Sequence, residues 1–502
     1  MSMPLCEDGS RESIAGCLRK TAKAHGDAVA IVDGDQVISY RELIRRKDSF
    51  SAFLAQQCRL SEGGIAAVSL PNCWQFAAAF FATAELGAIC LPVNTQWSER
   101  EIGWLSGRLP ISVVVTDRER RAPWERLSLR LTLVDELCEA AHCANAGCAG
   151  VARGDRAALY LTTSGSTGRP RIVPRSHGNL VAGSTNVART LGIQPGLRFL
   201  SVAPFFHAYG FNNCLFLPLI SGCTAVMMRG FTPAALAETV RRYRVQVLIG
   251  SPFIFAMLAE HEWDANTFSS VSVCLSSGGP MPPGLAETCR NRLGFRVRQV
   301  YGLSETGTIS IEPAAGEQVE GSAGKPIRGV EVRISGDDGG DLIRNETGEI
   351  LVKSPAVMTG YVGDPERNLE VFRDGFFRTG DRGKWDDDGN LILLGRSGRV
   401  INIAGVKVDP VEIENVLKSM PGVQNCLVTA ARSSRRMEMI KVTITTCPGI
   451  VLSRTDIVRH CREYLAEYKI PRVIEFASTA PAEITGKQPV PWSQTDNEFS
   501  DS

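Results

Sequence analysis

The sequence predicts an α/β protein: a large N-terminal domain of layered α/β subdomains plus a β-rich subdomain, joined to a small C-terminal α/β domain. Three observations predict it. Short apolar runs alternate with amphipathic helical patterns over most of the 502 residues, the pattern of stacked α/β layers. From Val330 to Leu394 the period shifts to two, broken by Gly and Asp turns, which reads as antiparallel strands and hairpins. From about Arg399 a compact α/β unit follows the joint LLGRSGRV, where Gly395 and Gly398 flank Arg396 and Ser397. The domain limits read this way are 1–395 and 399–502, with 396–398 as the joint.

The elements follow in order. GIAAVSL reads as a strand, WQFAAAFFATAEL as a helix and GAICLPV as the next strand, a βαβ unit. AALYL is a strand leading into LTTSGSTGRPRIVPRSH, and RVQVLIG, SVSVCLSSGG and RVRQVYG are further buried strands. In DPVEIENVLKSM, Asp409 is the N-cap, Pro410 the first helical residue and Glu412 the third, a strong helix start. Ile413, Val416, Leu417 and Met420 then form one apolar stripe. Strands over Asn425–Ala430 and Met437–Thr446, a helix over Arg454–Tyr468 and a strand over Arg472–Ala477 complete the tail.

Composition narrows the partners. With 44% hydrophobic residues, 22% charged residues and a net charge of +1, nothing advertises nucleic acid or an anionic membrane. Met1–Asp8 carries two acids and no apolar run, unlike a signal peptide. The most apolar stretch, Phe76–Ala84, is far below the ~20 residues of a membrane span. Fifteen cysteines, an odd number scattered among apolar segments, fit reduced core thiols, so a cytoplasmic protein is expected. Cys138, His142, Cys143 and Cys148 lack the spacing of a zinc knuckle.

Five stretches carry chemistry. In Leu161–His177 the small residues Ser164–Gly168 allow several backbone N–H groups to face one concavity, and Arg169, Arg171 and Arg175 supply charge. Composition alone serves a phosphate-holding turn and a flexible surface loop equally. The stretch is not the usual phosphate loop, because no Gly-x-x-x-x-Gly-Lys-Ser/Thr occurs in the chain. VYGLSETG places Tyr301, Ser304 and Glu305 at the end of a buried strand, where a ring could stack on a base and an acid could hold Mg²⁺. FFRTGD ends on Asp381, a carboxylate able to accept both hydroxyls of a ribose. LGRSGRVINIAGVKVDPVEIE opens the small domain, and PAEITGKQPV puts Lys487 on a glycine turn. Each alone is weak, since an isolated Asp or Lys in a turn is usually solvated.

Together and in this order, these motifs resemble the adenylate-forming superfamily of acyl-CoA synthetases, adenylation domains and luciferases, over nearly the whole chain. The resemblance implies an ATP-dependent acid–thiol ligase. A carboxylate attacks the α-phosphorus, pyrophosphate leaves, the small domain rotates about a hinge at Gly398, and a thiol attacks the acyl-adenylate. It implies ATP, Mg²⁺ and coenzyme A, or a phosphopantetheine thiol, as cofactors and substrates. It also assigns roles. Thr163, Ser164, Gly165, Ser166, Thr167, Gly168 and Arg171 would hold the phosphates. Ser277, Gly278, Gly279, Tyr301 and Gly302 would surround adenine. Ser304 would meet the α-phosphate, Glu305 the magnesium, and Asp381 with Arg396 the ribose. Lys487 would bridge carboxylate and α-phosphate, and His207 would sit at the acyl-pocket wall. PFFHAYGFNN supplies the acyl pocket through His207, Tyr209, Gly210, Phe211 and Asn212, with Gly278 and Gly302, while Gly405 and Val406 would line the thiol side. On the residues themselves, His207 reads equally as a histidine packed among aromatics.

The sequence departs from the family pattern in places. Arg171 replaces the usual lysine, Ile172 a glycine, and Ser304 the commoner threonine, while Gly398 and Pro489 depart at the hinge and after the catalytic lysine. Two other readings stand beside acyl-CoA synthesis: a stand-alone enzyme loading an acyl carrier protein, and a non-catalytic nucleotide-binding relic. The acid is left open among aryl, alicyclic and medium-chain carboxylates, as is the oligomeric state.

Overall fold

The computed structural model describes residues 13–477 apart from 141–153, 164–169, 283, 317, 320, 337, 397–400, 404–405, 433–437 and 448. Two large sheets organise the N-terminal part. The six-stranded one runs Leu131–Leu133, Ile111–Thr116, Ile65–Ser69, Ile89–Pro92, Ala157–Thr163, Arg171–Ser176. Its strands are parallel until Ala157–Thr163, which turns back antiparallel into Arg171–Ser176. The nine-stranded sheet is parallel through its centre, from Val297–Leu303 across to Val29–Asp33, and antiparallel at both edges. Parallel strands need both faces covered. Accordingly Val247–Gly250 and Ile65–Ser69 are buried along their whole length.

Helices fill the space between the sheets. Trp74–Glu85 is deeply enclosed: every residue but Gln75 is buried, as expected of a helix apolar on all sides. Its Phe80 meets Phe211 edge-on, with centroids 4.7 Å apart at 88°. One apolar core joins both sheets through these rings. A charge cluster sits within it. The fully buried Lys47 pairs with Glu85 and with Asp48, and Arg19 reaches Glu85 at 2.5 Å and Asp48 at 2.6 Å.

The β-rich part is a five-stranded antiparallel sheet of Glu331–Ser335, Gly348–Lys353, Phe372–Arg373, Phe376–Trp385 and Leu391–Arg396. Beyond it, Val423–Arg432, Glu438–Thr446 and Val473–Phe476 form a three-stranded sheet covered by Pro410–Lys418 and Arg454–Tyr464. This unit has a core of its own, built on Ile413, Leu417, Val428, Val442 and Ile457. The α/β class read from the sequence is therefore the observed one.

One element differs. The helix expected to run to Tyr468 stops at Tyr464. Leu465 is extended, and a separate turn, Glu467–Lys469, follows. Tertiary contact explains the break. The Tyr464 carbonyl accepts a hydrogen bond from Ser98 Oγ at 3.2 Å, and Lys469 reaches Glu101. The described cysteines are all free thiols, most of them buried. No helix among the described residues is long and apolar enough to cross a membrane.

Candidate active site

The site is built where parallel strands of the nine-stranded sheet end at their carboxyl edge. Strand Val273–Ser276 delivers Ser277 and Gly278 there, and Gly278 takes φ +92°, a conformation that glycine adopts freely. The neighbouring strand Val297–Leu303 turns back at once into Gly307–Ile311, with Leu303 paired to Gly307, so Ser304 and Glu305 occupy the turn. A Cβ at Gly302 would run into the Gly307 carbonyl. The tightness of the hairpin thus selects glycine there.

Arg175 fixes this turn from below. The side chain is 1% exposed, and its guanidinium donates to the Ser304 carbonyl at 2.5 Å and the Ala356 carbonyl at 2.6 Å. Burial pushes its pKa down to about 10, while Glu305 pulls it back up. The sequence reading had Arg175 supplying charge to phosphate. In the structure its Nη1 and Nη2 donate to backbone carbonyls instead.

Two tyrosines hold the two site carboxylates. The Tyr361 hydroxyl donates to Glu305 Oε1 at 2.8 Å, and burial with the nearby Glu305 charge raises the Tyr361 pKa. The Tyr301 hydroxyl donates to Asp381 Oδ2 at 2.7 Å, tying the nine-stranded sheet to the β-rich part. Strand register sets Asp381 beside Arg396. Arg171 closes the far side, its guanidinium 5.4 Å from the Tyr361 ring centroid and 3.8 Å from Asp364.

The PFFHAYGFNN stretch forms a short helix, Ala208–Gly210, running into a π-helical turn, Phe211–Phe216. Such turns concentrate at functional sites. Gly210 packs against the carbonyls of Ala203 and Pro204, where a Cβ would collide. Phe211 is fully buried against Phe80, so its side chain belongs to the core. His207 packs on Phe206 with centroids 4.5 Å apart, and burial pushes its pKa down to about 4. Among the described residues, His207 Nε2, Tyr209 Oη and Asn212 Oδ1 are buried without hydrogen-bond partners. Asn212 and Asn213 line a cavity of about 10 Å³ together with Arg175, Gly307 and Thr308.

The small domain also reaches the site. The hairpin of Ile401–Ile403 and Val406–Val408 carries Asn402, whose Nδ2 donates to the Gly278 carbonyl. Gly279 lies under the same side chain, and its carbonyl accepts from Gln299 Nε2 at 2.8 Å.

The chain matches known proteins. The family model for the AMP-binding enzyme matches residues 18–362, and that for the AMP-binding enzyme C-terminal domain matches 412–487. The chain belongs to the AMP-binding enzyme family. Feruloyl-CoA synthase from an Amycolatopsis species is 31% identical over 93% of this chain and 96% of its own. A double mutant of o-succinylbenzoate CoA synthetase from Bacillus subtilis, bound to its product analogue, superposes with a TM-score of 0.86 at 28% identity, covering 95% of this chain and 97% of its own. The same enzyme in complex with AMP, at the same identity and coverage, gives 0.72. The activity of this AMP-binding enzyme is AMP-forming ligation of a carboxylic acid to coenzyme A.

Of the residues singled out in the sequence, Ser277, Gly278, Gly279, Tyr301, Gly302, Ser304, Glu305 and Asp381 fall in the segments just described. Thr163 and Arg171 are a register pair at the ends of their two strands, and Val406 opens the second strand of the small-domain hairpin. Ser164, Gly165, Ser166, Thr167, Gly168, Gly398, Gly405 and Lys487 lie outside the described residues. Sequence reasoning missed Tyr361 and Asn402. Tyr361 stands in no motif, and Asn402 lies within LGRSGRVINIAGVKVDPVEIE without a role assigned to it; each reaches the site through a contact between residues more than fifty positions apart.

Proposed function

We propose that this acid–CoA ligase activates an aromatic carboxylic acid bearing hydrogen-bonding substituents. The observation that carries the reading is the row of buried, unpartnered atoms on one turn: His207 Nε2, Tyr209 Oη and Asn212 Oδ1. Leaving such a group unsatisfied costs on the order of 1–3 kcal/mol. A wholly aliphatic acyl group would leave that cost standing, whereas a ring carrying hydroxyl, methoxyl or carbonyl groups offers partners. The names of the two relatives, which act on feruloyl and succinylbenzoyl acids, support the aromatic class.

The residue roles follow the family resemblance of the motifs. Asp381, set by Tyr301, accepts the ribose hydroxyls with Arg396 beside it. Ser277, Gly278, Gly279, Tyr301 and Gly302 receive the adenine. Thr163, Ser164–Gly168, Arg171 and Ser304 take the phosphates. Glu305 fits a magnesium ion: among the described residues its Oε2 accepts no hydrogen bond, and Mg²⁺ favours one or two carboxylates plus substrate phosphates. When bound, the ion neutralises charge on the phosphate oxygens. Lys487 steers the acid carboxylate to the α-phosphorus. There a carboxylate oxygen forms the new P–O bond and pyrophosphate leaves with its bonding pair. In the second step the thiol sulfur bonds to the acyl carbon, AMP leaves with the C–O pair, and the thiol proton passes to solvent. Gly398 is the hinge between the steps, and Gly405 with Val406 borders the thiol path.

A carboxylate-dependent pyrophosphate-exchange screen tests the acid. Hydroxylated and methoxylated cinnamates and benzoates are expected to outpace unsubstituted benzoate and straight-chain alkanoates. A medium-chain alkanoate as the fastest acid would overturn the reading.

A further inference from the structure

Lys469 stands where the small domain meets the large one. Its ammonium lies 2.6 Å from Glu101 Oε1 on the large-domain helix Glu99–Ser106 and 2.8 Å from Glu412 Oε1 on the small-domain helix Pro410–Lys418. The three side chains are 6%, 10% and 13% exposed. Without the ammonium, two shielded carboxylates would face each other across the interface and repel. With it, the three charges attract, but only while both domains keep this placement. Burial raises the Glu412 pKa. Burial also works against the Lys469 charge, and the two carboxylates outweigh it, so the Lys469 pKa is raised as well.

Neighbouring contacts share the geometry. Asn94 Nδ2 donates to the Tyr468 hydroxyl at 3.4 Å, Ser98 Oγ donates to the Tyr464 carbonyl, and the Arg100 guanidinium lies 3.7 Å over the Tyr464 ring. In the same placement Asn402 is on the Gly278 carbonyl, so this arrangement brings the hairpin of Val406 to the adenine side of the site. The chain superposes better on the relative bound to a CoA-type product analogue than on the same relative with AMP, at equal identity and coverage. The interface described here is therefore that of the former arrangement.

We propose that Lys469, Glu101 and Glu412 form a clasp that selects the domain arrangement of the coenzyme A half-reaction, acting as positioning residues for thioester formation and not for adenylate formation. The proposal rests on the ligase activity. Glu412 reads from sequence as a helix-start residue, and its carboxylate is in fact committed to Lys469.

The test is Glu101→Gln in the full chain. Glutamine at this position keeps the capping box that Glu101 makes with Ser98, so the helix start survives while the charge is removed. Adenylate formation is read as pyrophosphate exchange without coenzyme A, using the acid the screen ranks first. Thioester formation is read in single turnover after adding coenzyme A. The expected result is exchange within twofold of the parent and a thioester rate down about thirtyfold, the lower end of the scale of losing one partner of a buried charge pair. Unchanged thioester formation, or equal loss in both steps, overturns the clasp. Amide hydrogen exchange on the same variant is a second readout that needs no acid. Faster exchange is expected in 94–106 and 464–470, with the strands of both large sheets unaffected, and unchanged protection there also overturns the proposal. A parent enzyme inactive with every acid would instead count against the ligase activity, and the exchange measurement would still decide the clasp.

Discussion

Two groups of shielded carboxylates in this molecule are held differently. At the interface and in the core, Glu101, Glu412 and Glu85 are each neutralised by an ammonium, from Lys469 or Lys47. At the candidate active site, Glu305 and Asp381 are each held by a tyrosine hydroxyl, and among the described residues Glu305 has no ion-pair partner. A cation would use up the charge and the lone pairs that a ligand needs. A phenol orients the carboxylate through one oxygen and leaves its negative charge intact. The cation-held acids thus build the scaffold, and the phenol-held Glu305 keeps its charge for chemistry.

The largest test of that contrast is Glu85→Ala. It takes from the fully buried Lys47 one of its two counter-charges, leaving Asp48, and from Arg19 one of its two, a change expected to cost about 3 kcal/mol, the lower end for breaking a buried pair. Denaturant unfolding should show this loss, while turnover per folded molecule stays near the parent value. Glu305→Gln should do the reverse. Stability should change little, while kcat/KM falls by about 10²–10³, the scale of removing one transition-state electrostatic group. Equal effects of the two variants on stability would erase the distinction.

A third expectation extends the contrast to cations that the fold keeps neutral. Burial pushes both His177 and His207 down to about 4, below the ordinary histidine value near 6.5. The unfolded chain therefore takes up protons that the folded chain refuses. Stability should fall as the pH drops through 6.5 and level off near 4, by up to about 3 kcal/mol per ring. Unfolding midpoints between pH 7 and pH 5 would show it, and His177→Gln should flatten the slope. The smallest effect is expected for Tyr301→Phe. Losing the donor that sets Asp381 should raise the KM for ATP several-fold, on the scale of about 1 kcal/mol for one hydrogen bond, with kcat little changed. An unaltered KM would show that Asp381 does not need the phenol.

Much of the fold could be read from residue order. The βαβ unit around Phe76–Ala84, the period-two stretch after Val330 and the Asp409–Pro410 helix start each rest on local pattern, and each appears in the structure. The helix to Tyr468 failed because its end is set by a partner. Apolar periodicity continues past Tyr464, and contacts to Ser98 and Glu101 from the other domain stop the helix there.

The site divides along the same line. By itself, the sequence determined the α/β class, the order of the motifs and which acids and glycines stand at the ends of strands, because strand period, turn chemistry and motif spacing are properties of neighbours along the chain. Only the tertiary structure decided which of those acids meet a tyrosine and which a lysine. It set Arg175, one of three arginines that supply charge in the Leu161–His177 stretch, as a brace for the Ser304–Glu305 turn, and it joined Lys469 to Glu101 across 368 positions. Side-chain partners at such separations are fixed by how sheets and domains pack, and no local pattern in the chain encodes that packing.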